Sequence, residues 1–281
     1  MISLKNNVAR NTHIKCKEHT LVLGENTYIM GILNVTPDSF SDGGQYDEVN
    51  KALDHAHIMI KEGADILDIG GESTRPGAEE VDAKTELKRV LPVVEKLVQE
   101  VSVPISVDTY KAEVAKAVLE AGAHIINDVW GLQREPEIAK VVAQYKVPVV
   151  IMHNQKGTHY EKDIIESIKE FLSKSINIAL EAGVKKENII LDPGVGFGKN
   201  FEQNKEVMSR LGELNTLGYP ILLGTSRKSM IGKILDVEAN ERVEGTVATT
   251  VMGIVQGVDI VRVHDIKENL RAAKVTDAII R

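Results

Sequence analysis

Arg262 and His264, near the C-terminal end of this sequence, together have the chemistry of an anion site. They alternate with valines in the segment VRVHD, so in a β-strand both side chains lie on one face. Arginine is permanently charged and can hold two phosphate oxygens, while histidine adds a further donor. A single histidine in a strand is often a hydrogen-bonded core residue, but the nearby arginine favours a binding role.

Asn34 offers a neutral oxygen ligand at the end of the apolar segment YIMGILN. Mg2+ prefers hard oxygen ligands, keeps several waters and often binds through substrate phosphates and few protein groups. If the strand of Asn34 neighbours the strand of Arg262 and His264, one asparagine is enough. We therefore predict Mg2+ as the cofactor and Asn34 as its protein ligand.

A second group of polar residues lies at the ends of other apolar segments, and these residues are Asp108, Asn127, Asp128, Asp192 and Lys228. Buried carboxylates are strongly penalised unless they find donors. A flat heterocycle with amino and ring N–H groups would supply donors, and Asn127 can both donate and accept on one edge. Lys228 can donate to a ring carbonyl or nitrogen. Asp108 has an alternative role, because an aspartate before the next helix could cap it.

The segment GVGFGK, residues 194–199, is similar at first sight to a nucleotide phosphate loop. However, Pro193 occupies the place of the first glycine and Asn200 follows the lysine, so it is not a Walker sequence. The dinucleotide fingerprint also fails, because no G-x-G-x-x-G opens a helix there. We expect a tight turn here, not a phosphate site.

Residues 34–44 and 70–77 form two glycine-rich, polar loops that follow the first two strands of the predicted barrel. Such loops are suited to closing over a substrate and excluding water. Each loop alone could be an ordinary turn. Their position at adjacent strand ends favours a lid.

These residues need a scaffold that brings distant strand ends together. Eight apolar segments recur along the chain, each ending at polar or glycine residues, and amphipathic helix-length segments separate them. The alternation predicts an α/β fold, a single (β/α)8 TIM barrel whose active site lies at the C-terminal strand ends. We assign residues 28–281 to the barrel and residues 1–27 to a short N-terminal hairpin. The predicted helices span residues 50–63, 80–101, 113–122, 136–145, 164–183, 204–218, 245–257 and 267–280.

Composition narrows the class of function. The 281 residues include 41 acidic and 34 basic ones, and the net charge of −7 argues against a nucleic-acid or membrane-surface binder. The single cysteine, Cys16, cannot form an intramolecular disulfide and is expected to be a packing residue. The N-terminal segment lacks the apolar core of a signal peptide, and no run reaches membrane-spanning length. We therefore expect a cytoplasmic enzyme that acts on small molecules.

Seven unusual segments are spread over nearly the whole chain, and they are MGILNVTPDSFSDGG, DIGGESTRPGA, ISVDTYK, INDVWG, LDPGVGFGK, LLGTSRKSMIG and VRVHD. Together they resemble the dihydropteroate synthase family. The resemblance implies that p-aminobenzoate displaces diphosphate from 6-hydroxymethyl-7,8-dihydropterin diphosphate, giving 7,8-dihydropteroate. It also implies a homodimer.

The resemblance further implies roles for individual residues. Asn34 matches the magnesium-binding asparagine, and Thr74 matches a substrate contact. The pterin pocket is matched by Asp108, Asn127, Asp192 and Lys228, with Met152 and Phe197 as apolar walls. The diphosphate anchor is matched by Arg262 and His264. The p-aminobenzoate region is matched by Phe40, Pro76, Lys228 and Ser229, and Arg75, Ser226 and Arg227 lie in the same motifs. The residues expected to act in catalysis are Asp38, Phe40, Asp108 and Lys228.

Two other functions compete with this interpretation. A methyltetrahydrofolate-dependent methyltransferase barrel shares the pocket carboxylates, but the segments TPDSFSDGG and SRKS and the Arg262/His264 pair favour loss of diphosphate. An inactive pterin-binding module would keep the pocket and lack Asn34, Lys228 or the loops, and the sequence retains all of these.

Overall fold

The structure is a computed structural model, and it describes residues 13–36, 45–73 and 79–281. Its strands are β1 His13–Cys16, β2 His19–Val22, β3 Tyr28–Asn34, β4 Ile66–Gly70, β5 Ile105–Asp108, β6 Ile125–Asp128, β7 Val149–Met152, β8 Ile189–Asp192, β9 Leu222–Leu223 and β10 Ile260–Val263. Its α-helices are α1 Gln45–Glu62, α2 Ala83–Glu100, α3 Ala112–Glu120, α4 Glu137–Tyr145, α5 Ile164–Glu181, α6 Phe201–Ser209, α7 Ser229–Leu235, α8 Val243–Val255 and α9 Ile266–Ile280. Short 3-10 helices cover Lys186–Asn188, Leu211–Leu217 and Ala239–Glu241.

Eight parallel strands form the barrel, in the order β8-β7-β6-β5-β4-β3-β10-β9. A parallel bridge between Leu191 and Ile221, just before β9, joins the two ends of that order. Because consecutive strands pair side by side and helices lie between them in sequence, the predicted (β/α)8 architecture is confirmed. Among the described residues, no helix is both long and apolar enough to cross a membrane.

Strands β1 and β2 form the predicted antiparallel hairpin. Its buried residues Ile14, Cys16 and Leu21 pack in one cluster with interior residues of the barrel strands, among them Ile66 and Ile190. These interior residues lie at the N-terminal halves of their strands, so the hairpin covers the bottom of the barrel. Cys16 is fully buried, which confirms its expected packing role. The boundary between hairpin and barrel at residue 27 stays a prediction.

The alternation along each strand separates an outer core from an inner one. On β5, Ile105 and Val107 pack toward the helices, while Ser106 and Asp108 are buried outside that cluster. On β10, Val261 belongs to the same outer core. The period of two therefore turns the polar residues of the strands toward the barrel interior.

The helices begin and end close to the predicted positions, with three differences. Helix α1 begins at Gln45, earlier than expected. Helix α6 begins at Phe201 because Asn200 and Gln203 form a reciprocal capping box, and it stops at Ser209, where a 3-10 helix continues the predicted segment. Helix α7 was missed, because it is short and follows directly on the polar strand end.

Candidate active site

The C-terminal ends of the parallel strands bring the predicted pocket residues side by side. Pairing places Gly70 opposite Asp108, and Asp108 opposite Asn127. On the other side of the barrel, Met152 lies opposite Asp192. Residues far apart in the chain thus form one rim, as expected for the active face of this architecture.

Asp68, in the middle of β4, is hydrogen-bonded to two predicted residues, Arg262 and Asn127, although the sequence did not single it out. Its Oδ2 accepts hydrogen bonds from Arg262 Nε at 2.6 Å and from Asn127 Nδ2 at 3.1 Å. Arg262 Nη2 also donates to Asp108 Oδ2 at 3.0 Å. A carboxylate within the apolar segment ADILDIGG was the available signal, because a buried charge requires a partner.

Asp108 is a nearly buried carboxylate that ends β5. Burial raises its pKa above the ordinary value, the nearby Arg262 guanidinium lowers it, and the charge of Asp68 raises it again. Its Oδ1 has no hydrogen-bond partner among the described residues. Asp108 does not cap the next helix, because α3 begins after Lys111 without a side-chain cap. The alternative role of Asp108 as the cap of α3 is therefore wrong.

Asp192 and Lys228 lie at the other side of the pocket. Asp192 Oδ1 accepts a hydrogen bond from Gly194 N at 2.7 Å. The Lys228 ammonium group donates to the carbonyl of Val195 and lies 4.6 Å from the centroid of the Phe197 ring. Burial lowers the pKa of Lys228 to about 8, although the charge of Asp192 opposes this shift. The lysine is thus a donor near neutral pH that loses its charge under mildly alkaline conditions.

Phe197 and Met152, the predicted apolar walls, belong to one cluster with Tyr110, Val129 and Trp130. Phe197 also lines a cavity of about 460 Å³ with residues from the loops after β4, β5, β6, β7 and β8. An apolar wall beside buried acceptors and a lysine donor suits a flat, polar-edged ring.

The loop from Gly194 to Lys199 is the tight turn that the sequence predicted. Gly194 has φ of 66°, and a Cβ there would lie 1.9 Å from the carbonyl oxygen of His153. Lys199 is buried, and its Nζ donates to the carbonyls of Gly194 and Phe197 at 2.8 and 3.0 Å and lies 2.8 Å from His153 Nδ1. This lysine therefore holds the turn, and burial lowers its pKa well below the ordinary value.

Asn34 and His264 lie on neighbouring parts of the rim, because β3 pairs with both β4 and β10. A Cβ at Gly70 would lie 3.6 Å from Asn34 Oδ1 and 3.8 Å from the Cβ of Asp108, both ordinary van der Waals distances, so Asn34 and Asp108 lie on either side of this glycine. His264 Nδ1 lies 2.9 Å from the hydroxyl of Ser226, whose oxygen also accepts from the His264 backbone N–H at 3.1 Å. The loop after β9 is thereby attached to the end of β10.

Arg227 and Ser229, two further predicted residues, lie in the segment after β9. Arg227 pairs with Asp265, with Nε to Oδ2 at 3.0 Å, and Ser229 begins α7. Five predicted residues, Asp38, Phe40, Thr74, Arg75 and Pro76, lie outside the described residues. The two predicted lid loops are therefore described only in part.

A network that the sequence did not predict lies beside the pocket. Glu72 accepts from the Tyr110 hydroxyl at 2.7 Å and from the Lys111 ammonium group. Arg134 lies 4.3 Å from the Tyr110 ring centroid and holds Glu80 through two hydrogen bonds of 2.9 and 2.7 Å. Glu72 lies in the second glycine-rich loop and Glu80 lies just after it, and they are attached to the loops after β5 and β6.

Glu18, His19 and His124 form a group of possible metal ligands at the opposite end of the barrel. The backbone N–H of Ile105 donates to His124 Nδ1 at 3.0 Å. The neutral ring then carries its proton on Nε2, which faces Glu18 Oε1 at 3.1 Å. His124 is therefore a hydrogen-bond donor here, and this group is structural.

Comparison with known proteins agrees with this geometry. The pterin binding enzyme family matches residues 30–264, a range that includes every pocket residue described above. The dihydropteroate synthase of Clostridium beijerinckii is 56% identical over 260 residues, which cover 92% of this chain and 96% of that protein. The crystal structure of the dihydropteroate synthase of Clostridium difficile in the presence of pteroic acid has a TM-score of 0.90 and 63% identity, covering 92% of this chain and 98% of that one. The Xanthomonas albilineans dihydropteroate synthase with 4-aminobenzoic acid has a TM-score of 0.91 and 42% identity, covering 95% and 98%. The chain therefore belongs to the pterin-binding enzymes and, among them, to the dihydropteroate synthase family.

Proposed function

We propose that this enzyme condenses p-aminobenzoate with (7,8-dihydropterin-6-yl)methyl diphosphate, releasing diphosphate and forming 7,8-dihydropteroate. The observation that carries the proposal is the set of buried Asp108, Asn127 and Asp192 with the partly buried Lys228 at the strand ends, beside the wall that contains Phe197. It is supported by solved relatives that were crystallised with pteroic acid and 4-aminobenzoic acid.

The pocket carboxylates would recognise the pterin ring through its N–H groups. Asp108 and Asp192 are buried acceptors, so each satisfied hydrogen bond would discriminate strongly against a ring that lacks the donor. Lys228 would donate to a ring carbonyl or nitrogen. Met152 and Phe197 would cover the ring faces.

Arg262 and His264 would bind the diphosphate end of the substrate. Arg262 uses Nε and Nη2 for Asp68 and Asp108, and no described residue accepts a hydrogen bond from its Nη1. Nη1 is therefore available for a phosphate oxygen. The hydroxyl of Ser226 orients the imidazole of His264.

Mg2+ is the proposed cofactor, and Asn34 is its proposed protein ligand. The amide oxygen of Asn34 is a hard ligand, it lies beside Gly70 near Asp108, and its strand pairs with the strand of Arg262. Such a donor set fits an ion that takes its other ligands from water and phosphate. When bound, Mg2+ would offset charge on the diphosphate and make it a better leaving group.

The chemistry that we propose for the chain's own residues begins with departure of the leaving group. An arylamine is a weak nucleophile because its lone pair is delocalised, so the C–O bond to diphosphate would break early. Asp108 would stabilise the positive charge on the methylene carbon and pterin ring. The amine nitrogen then forms the C–N bond and gives up one proton, which the departed diphosphate can accept. Asp38, Phe40, Thr74, Arg75, Pro76 and Ser229 are proposed to position p-aminobenzoate and exclude water.

Initial rates of diphosphate release test the proposed function. We expect release that requires p-aminobenzoate and Mg2+ together, with equal amounts of dihydropteroate formed. Tight binding of the pterin substrate without diphosphate release would support an inactive binding module. Release at the same rate without p-aminobenzoate would mean that another acceptor is used.

We also propose that the enzyme acts in the cytoplasm and as a homodimer. The exposed apolar side chains of Met252 on α8 and of Val275 and Ile279 on α9 support an interface on this side of the barrel, since Val275 is 62% and Ile279 77% exposed. Sedimentation analysis of the wild type and of Val275→Glu tests this. A wild type that sediments as a monomer at assay concentrations would exclude the dimer.

A further inference from the structure

We propose that Asp68 is a positioning residue that determines which edge of Asn127 faces the pterin ring and where Arg262 points. The inference rests on the proposed function and deepens it, because it assigns ring specificity to a residue that the substrate need not touch.

The carboxylate of Asp68 is shielded from solvent, so only neighbouring side chains can pair with its charge. It is fully buried in the middle of β4, between Leu67 and Ile69, which belong to the outer core. Its Oδ2 accepts from both Arg262 Nε and Asn127 Nδ2. Its Oδ1 has no partner in the part of the chain that the structure describes. One oxygen therefore connects β4 to β6 and β10.

The contact with Asn127 determines which end of its side-chain amide is the NH2 group and which is the oxygen. A carboxylate can only accept, so the group of Asn127 that faces Asp68 must be its NH2. The amide oxygen is then the end left for the ligand. The pocket consequently presents acceptors from Asn127, Asp108 and Asp192, which selects a ring edge rich in N–H groups.

The contact with Arg262 fixes the guanidinium plane. Nε is held by Asp68 on β4 and Nη2 by Asp108 on β5, so the fork spans two neighbouring strands. Asp68 also brings a negative charge beside this cation. Its charge weakens the attraction of Arg262 for a second anion, while its oxygen sets the direction of the side chain.

Three substitutions separate these effects. Asp68→Leu has a similar shape but removes the shared acceptor. Asp68→Asn keeps one acceptor oxygen for both donors and removes the charge. Ser106→Ala is the matched control, because Ser106 is the register partner of Asp68 on β5, is fully buried, and has no hydrogen-bond partner among the described residues.

The readout is the ratio of dissociation constants for lumazine and pterin, measured by calorimetry. Lumazine carries a carbonyl where pterin carries its amino group, so it reports on the acceptor edge. We expect Asp68→Leu to reduce the preference for pterin about tenfold or more, because Asn127 can then turn its NH2 toward the ring. Asp68→Asn should restore the preference to within about threefold of the wild type. Ser106→Ala should leave it unchanged.

Inhibition by inorganic diphosphate at fixed Mg2+ is a second measurement, and here a substitution of Asp68 should strengthen binding. We expect Asp68→Asn to bind diphosphate about threefold or more tightly, because a negative charge beside Arg262 is removed. General damage to the pocket would weaken both ligands. Pterin selectivity in Asp68→Leu that equals the wild type would overturn the inference, and so would an equal loss of selectivity in Asp68→Asn.

Two controls keep the outcomes distinct. If Asp68→Leu does not fold, as judged by circular dichroism, Asp68→Ser is measured in its place, since its short hydroxyl cannot serve both donors. If the wild type itself neither prefers pterin nor releases diphosphate, the proposed function fails together with the inference. If the wild type does both and the Asp68 variants match it, only the inference about Asp68 fails.

Discussion

The lower and upper halves of the barrel interior are built from the same strands but do different work. In the lower half, Ile66, Ile125 and Ile190 form an apolar layer that packs against the hairpin. Two residues further along their strands, Asp68, Asn127 and Asp192 form a polar layer. A strand of period two turns both layers inward, so residue type alone decides whether a level contributes stability or binding. The comparison teaches that a change in the lower layer should alter stability without altering recognition of the substrate.

The largest expected effect comes from breaking the ion cluster of the upper layer. Arg262→Met should lower the free energy of unfolding by about 3–5 kcal/mol at pH 8, because two buried carboxylates lose their cation. Burial already raises the pKa of Asp108 above its ordinary value, and loss of the cation should raise it further in the folded state. The folded state then binds more protons, so the loss should shrink as pH falls toward 5. Urea unfolding at both pH values measures this.

Arg227→Met is the matched control for that experiment. The ion pair of Arg227 with Asp265 is partly exposed, so its loss should cost less than about 1 kcal/mol. An equal cost for the two variants would show that burial does not distinguish the upper-layer cluster from an ordinary pair.

A cavity in the lower layer should affect stability alone. Ile190→Ala should lower the free energy of unfolding by about 2–5 kcal/mol, because Ile190 is fully buried and its neighbours cannot fill the space. Pterin affinity of the folded protein, measured by calorimetry at 15 °C, should stay within about twofold of the wild type. A large loss of affinity would mean that the two layers are coupled.

A substitution two residues further along β8, in the upper layer, should mainly affect pterin binding. Asp192→Ala should weaken pterin binding by about 1–3 kcal/mol, because ring donors are left without an acceptor in a buried pocket. Its free energy of unfolding should fall by only about 1–2 kcal/mol, because the backbone N–H of Gly194 loses its acceptor but no large cavity forms. Unchanged pterin affinity would show that Asp192 does not contribute to pterin binding.

The smallest effect is a pH dependence from Lys228. Burial lowers its pKa to about 8, so the ammonium donor is present at pH 7 and is mostly lost at pH 9. Pterin affinity should therefore fall by about tenfold between these values. Lys228→Met should bind more weakly at pH 7 and lose this dependence. A wild-type profile that is flat from pH 7 to 9 would contradict the assigned role.

The sequence predicted most of the scaffold and many of the residues at the rim. Eight strands in order, the hairpin and the tight turn at residues 194–199 followed from local patterns, because period and turn chemistry act over a few residues. The start of α6 could have been found from its capping box. Helix α7 could not, since seven residues carry little periodic signal.

What the sequence determined by itself is the level at which each strand changes from apolar to polar, since that is a matter of residue order along one strand. What only the tertiary structure decided is which polar groups meet. Asp68 and Arg262 are 194 positions apart, and the hydrogen bond between them exists because closing the barrel turns β4 and β10 toward one interior. No local pattern records such a partner, because the energy that selects it arises only when both groups leave water together.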